Sequence, residues 1–257
     1  MSSVKDGRAV FLLVHGLGAH AGRWEALTDF FRERGISSYA VELRDFDRHP
    51  AGHGSFRDHY KKIERLYDAA ARDNPGKKIF LIGESMGALI AFLFTASRPA
   101  LFNGLVCISP AFANRYKPAF LDSVKMALPL FYNPEKEFKL PFDSSMCTRD
   151  AYYRKKLDED PREYRSVSSR VILEILMAQA RARFVRGQIA IPVLFLLAGE
   201  DKLVDPAASK KIFTALAVKD KTLMEFPGMY HSLSIEIGKE KVFEEILKWV
   251  EKRIGGA

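Results

Sequence analysis

The chain has little sulfur chemistry to offer: two cysteines, Cys107 and Cys147, in 257 residues. Two are too few for a disulfide framework. Cys107 sits inside the apolar run Leu105–Ile108, where a buried packing residue is expected. No apolar run approaches the length needed to span a membrane. The first one, Ala9–Val14, follows a polar start and is too short for a signal-peptide core. A cytoplasmic, reducing location is the resulting expectation. Histidines and cysteines do not cluster at metal-ligand spacing, so no metal and no cofactor is expected. Asn and Gln together number six, beside 40 Lys and Arg, a balance compatible with a thermophilic source. The formal net charge is +8, yet no aromatic-basic module of a nucleic-acid type is present. Basic residues are spread along the chain and mixed with acids, as in Arg149–Arg165. A solvated charged surface is the expected reading, not a nucleic-acid partner. A transient contact with anionic lipid surfaces is compatible with the charge. The oligomeric state is not legible.

What is present is rhythm. Hydrophobic residues make up 47% of the chain, as in a soluble globular protein. Six apolar runs read as strands: Ala9–His15, Ser37–Leu43, Lys78–Gly83, Gly104–Ser109, Pro192–Ala198 and Thr222–Phe226. Helical patterns at Trp24–Arg34, Tyr60–Arg72, Met86–Ser97, Pro206–Ala217 and Lys239–Arg253 separate or follow them. The runs are near-continuous rather than alternating, as in strands buried on both faces. This predicts an α/β fold with a mostly parallel sheet flanked by helices. The rhythm breaks over Ala111–Gln188. Two amphipathic stretches there, Pro118–Tyr132 and Tyr164–Arg186, flank a polar, proline-dotted segment, Asn133–Pro161. We read 111–188 as a helical insertion over a core of 1–110 and 189–257. Its apolar stripes serve packing, line a pocket above the sheet, or both. The pocket candidates are Phe112, Phe120, Met126, Met177 and Leu203.

The chemistry concentrates at strand ends. Gly83-Glu84-Ser85-Met86-Gly87 is a Gly-x-Ser-x-Gly pattern between an apolar run and an apolar helix. A strand passing straight into a helix is the setting in which this pattern presents a nucleophilic serine. A serine hydroxyl needs a base, usually His, and the His needs an acid to hold it. The order along the chain is Ser, acid, His. Of six histidines only His231 follows Ser85, in the loop after the sixth strand. The acid belongs after the fifth strand, where Glu200, Asp201 and Asp205 are available. Asp201, directly after the Gly-Glu turn, is the choice. Asp205 precedes Pro206 and reads as a helix N-cap, and Glu200 as turn chemistry facing solvent. Oxyanion donors are expected from the backbone N–H groups of Met86 and of Leu17, in His15-Gly-Leu-Gly18. His15 is expected to shape that loop through hydrogen bonds.

Together these segments resemble the α/β-hydrolase superfamily, and within it the monoacylglycerol lipase and lysophospholipase-like esterases. His15–Trp24 is similar to that family's oxyanion-loop segment, and Gly83–Gly87 to its nucleophile elbow. Gly199–Pro206 resembles its acid loop, and Gly228–His231 its histidine loop. Arg44–Gly54 stands where the family has a glycine-rich loop. The resemblance implies a cap domain at 111–188 and a small-molecule acyl ester as substrate. With little room for strands before Ala9, about six or seven strands are expected. The expected activity is serine ester hydrolysis through Ser85, His231 and Asp201. The apolar insertion favours medium- or long-chain esters such as monoacylglycerols. A short-chain carboxylesterase or acyl thioesterase on the same triad is the alternative. A non-catalytic binding protein on the same scaffold is a third reading.

Overall fold

The computed structural model describes residue 4 and residues 7–43, 55–115 and 120–255, except for the side chains of residues 120, 121, 123 and 124. In chain order the main elements are β1 (Ala9–Val14), α1 (Glu25–Arg32), β2 (Ile36–Val41), α2 (Phe56–Asp73), β3 (Ile79–Glu84), α3 (Met86–Ser97) and β4 (Gly104–Ile108). Then come α4 (Phe120–Ala127), β5 (Glu137–Lys139), α5 (Ser144–Cys147), α6 (Ala151–Glu159), β6 (Ser166–Ser168) and α7 (Ser169–Val185). The chain closes with β7 (Val193–Ala198), α8 (Pro206–Thr214), β8 (Lys221–Phe226) and α9 (Lys239–Ile254).

Six strands form one sheet in the order β2-β1-β3-β4-β7-β8, and every neighbouring pair is parallel. These are the six apolar runs of the sequence, displaced by a residue or two at their ends. Because side chains alternate across a strand, each run feeds two cores. Val10, Leu12, Leu81, Cys107 and Phe195 join the core under α2, α3 and α8. Phe11, Leu13, Phe80, Ile82 and Leu196 join the one under α1 and α9. α3 is apolar on all sides because it is enclosed: Met86 through Ala96 are all buried, with the sheet beneath and α7 packed against it.

Strand order reverses between β1 and β3. The loops leaving their C-terminal ends therefore diverge and open a crevice, the place where ligands bind in open α/β sheets. The loop after β1 carries Leu17, and the turn after β3 carries Ser85. Segment 111–188 is not purely helical. It contains a two-stranded antiparallel pair, β5 with β6, within and just after the stretch read as polar and proline-dotted. Three residues per strand leave too short an alternation to be read from sequence. The loop Arg44–Gly54, with His49 and His53, lies outside the described residues.

Candidate active site

β3 runs into α3 with Ser85 as the single residue between them, at φ 58° and ψ −121°. A non-glycine residue at positive φ costs about 1–3 kcal/mol and is held there by its surroundings. Here the hold is visible. Ser85 N–H donates to the Ile108 carbonyl at 2.9 Å, and the Ser85 carbonyl accepts from Ala111 at 3.1 Å. Gly87 permits the turn: a Cβ there would overlap the Val14 and His15 carbonyl oxygens. A Cβ on Gly83 would come within 2.6 Å of Ala88 Cα. The Ser85 side chain does not cap α3. The Met86 N–H opens the first turn of α3, where the helix supplies no carbonyl to accept it.

His231 follows β8 and Asp201 follows β7. The imidazole Nδ1 lies 2.8 Å from Asp201 Oδ2, and both residues are buried. The other carboxylate oxygen, Oδ1, accepts the N–H groups of Leu203 and Val204, each at 2.9 Å. Burial pushes the Asp201 carboxyl up, but facing His231 and these two donors bring it below its ordinary value. Burial pushes His231 down, but Asp201 outweighs this and the net shift is upward. The pair is thus arranged so that a proton gained by His231 is stabilised while Asp201 stays ionised.

The two other acids behave as helix and turn chemistry. Asp205 caps α8, accepting from Ala207 N–H at 2.9 Å, with Pro206 in the first helical position, and Glu200 is exposed. His15 braces the β1 loop: its Nδ1 is 2.9 Å from the Gly16 carbonyl, and Leu43 N–H donates to Nε2 at 3.1 Å.

Above the strand ends lies a cavity of about 550 Å³, within the roughly 300–1,000 Å³ of small-ligand pockets. Ser85, His231, Leu17, Met86 and Leu203 line its floor, and Met126 lines it from α4. Its upper wall, from segment 111–188, includes Leu130, Leu140, Phe142, Ile172 and Leu176. Two of the residues proposed for pocket contact lie elsewhere. Phe112 is buried beneath the site, edge-on to Phe92 at 5.0 Å and stacked on Phe195 at 5.7 Å. It follows β4 too closely to leave the core. Met177 is 62% exposed and is not among the residues that line the cavity. Phe120 lies on α4, and its side chain is outside the described set.

Arg23 and Glu84 were not anticipated. Both line the cavity, and both are tied to residues far away in sequence. Arg23 forms two hydrogen bonds of 2.6 Å with Glu163. Glu84 accepts from Ser234 N–H at 3.0 Å and from its hydroxyl at 2.8 Å. Nothing local in the sequence announces such pairs. Among the described residues no group of His, Cys, Asp or Glu is arranged to hold a metal ion, and no helix is long and apolar enough to cross a membrane.

Residues 5–238 match the family described as "Serine aminopeptidase, S33". The chain belongs to that family. It is a serine hydrolase of the α/β-hydrolase fold. Human monoglyceride lipase is 29% identical over 97% of this chain and 84% of its own length. Phospholipase YtpA of Bacillus subtilis is 27% identical over 96% of each chain. The crystal structure of Paleococcus ferrophilus monoacylglycerol lipase superposes with a TM-score of 0.87 at 28% identity, covering 98% of this chain and 97% of that one. The resemblance read from four short motifs therefore extends over the whole α/β-hydrolase framework.

Proposed function

We propose that this chain hydrolyses lipid carboxylic esters, monoacylglycerols foremost, through an acyl-enzyme. Ser85 Oγ attacks the ester carbonyl. Its proton passes to His231 Nε2, the nitrogen not engaged by Asp201, and then to the departing alcohol. Asp201 holds the imidazole and stabilises its charged form. The N–H groups of Met86 and Leu17 receive the oxyanion, and water then resolves the acyl-enzyme by the same steps. The observation that carries this reading is one cavity holding Ser85 and His231 at its floor under largely apolar walls. Segment 111–188 acts as the cap that supplies those walls. The monoglyceride lipases among its relatives support a glycerol ester.

Apolar side chains are also exposed around the cap: Leu128, Phe131 and Tyr132 after α4, and Leu176 and Met177 on the adjoining α7. With the net positive charge, this surface suits transient contact with an anionic lipid layer from which substrate enters. Two unpaired, buried cysteines suit a reducing, cytoplasmic setting.

The test is the hydrolysis rate across glycerol monoesters of increasing acyl length, with Ser85→Ala alongside. A maximum at medium or long chains that vanishes in the variant supports the proposal. A maximum at acetyl or butyryl esters replaces it with a short-chain esterase, and faster turnover of acyl thioesters with a thioesterase. Failure of a fluorophosphonate to label Ser85 would leave a non-catalytic binding protein.

A further inference from the structure

The elbow residue next to the nucleophile is a carboxylate in an unusual place. Glu84 ends β3, is 6% exposed and lines the cavity. Burying an ionised carboxylate without partners is strongly unfavourable. Here each oxygen has a donor, and both donors belong to one residue. Ser234 N–H meets Oε1 and Ser234 O–H meets Oε2. Oε1 is fixed as an acceptor by a backbone N–H, and the Ser234 hydroxyl, free to rotate, completes the pairing at Oε2. Ser234 lies three residues beyond His231, in the 3₁₀ turn Leu233–Ile235. The connection is therefore direct: the strand that delivers Ser85 grips the loop that delivers His231.

We propose that Glu84 is a positioning residue for ester hydrolysis, clipping the His231 loop to the nucleophile elbow and placing a second carboxylate within electrostatic range of the imidazole. This rests on the reading of His231 as the base.

Several charged or titratable groups face this region. His231 is faced by Asp201 from the β7 loop, Glu84 from β3 and Arg23 from the turn before α1. Glu84 is faced by His231 and Arg23, and Cys147 from α5 lies within electrostatic range of it. Arg23 is paired with Glu163, and its charge opposes that of Glu84 at His231. Burial pushes the Glu84 carboxyl up and outweighs the Ser234 donors, His231 and Arg23, so the net shift is upward. Its charge in turn raises His231. The clip uses the backbone N–H of Ser234 as well as its hydroxyl, so it constrains where the loop runs and not only one side chain.

Glu84→Gln tests this, because it keeps the shape and an acceptor while removing the charge. The expected result is a loss of about tenfold in kcat, as for a small misplacement of a catalytic group, with KM nearly unchanged. The acid limb of kcat/KM should move to lower pH, since the imidazolium loses a neighbouring anion. Melting temperature is recorded beside it, because a purely structural role would lower stability without moving the pH limb. His231→Ala is measured in parallel. If His231→Ala turns over at the wild-type rate, the assignment of the base falls, and this proposal with it. If His231→Ala is inactive but Glu84→Gln keeps wild-type kcat and pH limb, only this proposal falls. Should Glu84→Gln not fold, Ser234→Ala decides. It removes the hydroxyl donor and leaves Glu84 in place. A several-fold loss in kcat supports the clip, and unchanged kcat with an unchanged limb overturns it.

Discussion

Arg23 and Glu163 meet through two hydrogen bonds of 2.6 Å across 140 residues of sequence. The pair joins the turn after β1 to the segment between α6 and β6. Tyr164 N–H adds a bond to the Gly18 carbonyl at 2.8 Å beside it. The loop offered as an oxyanion donor is therefore fastened to segment 111–188 and not only to the sheet.

Both side chains of that pair are largely buried, so breaking it from one side leaves an uncompensated charge. Glu163→Ala is expected to destabilise the fold by about 3 kcal/mol, roughly 6–12 °C in melting temperature for a chain this long. The double variant Arg23→Met/Glu163→Leu should recover most of that loss, because an apolar pair of similar volume leaves no charge stranded. Thermal melts of the two variants check this. A single variant as stable as wild type would show that the pair is solvated.

The pH dependence follows from the sign of the His231 shift. In the proposed mechanism His231 must be neutral to accept a proton from Ser85. Its folded value is raised, chiefly because Asp201 outweighs burial, so the imidazole stays charged to a higher pH than a free histidine. Activity should therefore fall on the acid side with a midpoint above the ordinary histidine value of about 6.5. Asp201→Asn should remove the stabilising charge and lower kcat by about 10⁴-fold. A kcat/KM profile from pH 5 to 9 on both proteins measures each effect.

Gly87 admits no side chain. A Cβ would collide with the carbonyl oxygens of Val14 and His15, which belong to the strand and loop beside the elbow and cannot yield separately. Gly87→Ala is expected to cost about 3 kcal/mol and to slow fluorophosphonate labelling of Ser85 by displacing the turn. Labelling kinetics and a melt together check this. Wild-type values in both would mean that the elbow tolerates expansion.

Acyl-chain preference should answer to the upper wall of the cavity. Ile172 lines it from α7 and is half-buried. Ile172→Trp should shift the optimum among glycerol monoesters to shorter chains while leaving turnover of the shortest ester near the wild-type rate. The same series of esters provides the measurement.

Phe131 is 89% exposed, which leaves most of an apolar ring in water. Phe131→Asp should lower turnover of substrate presented in anionic vesicles several-fold and leave monomeric substrate unaffected. Equal effects on both forms would remove lipid contact as the reason for the exposed ring.

The sheet was legible because its signals are local. Each strand is an unbroken apolar run buried on both faces, and each run stands out against polar flanks. The position of Ser85, Asp201 and His231 at strand ends was legible through chain order: a serine in a strand-to-helix glycine turn, one later histidine, and an acid after the strand between them. Asp205 was separated from Asp201 by Pro206, whose fixed φ marks a helix start, and by the place of Asp201 directly after the Gly-Glu turn.

Other features depend on chain segments meeting in space. Phe112 and Met177 sit in apolar contexts that fit a pocket, yet Phe112 is held in the core by Phe92 and Phe195 and Met177 points to solvent. A stripe read from one helix states which residues are apolar, not which neighbour covers them. β5 and β6 escaped notice because three residues carry no readable period. The pairs Arg23–Glu163 and Glu84–Ser234 could not be anticipated, since a charge gives no sign of its partner at long separation. By itself, the order of residues determined the strands, the elbow and the three groups presented at the strand ends. Tertiary packing alone decided the shape of the cavity and the partners of its buried charges, because both are made between segments that are far apart in the chain.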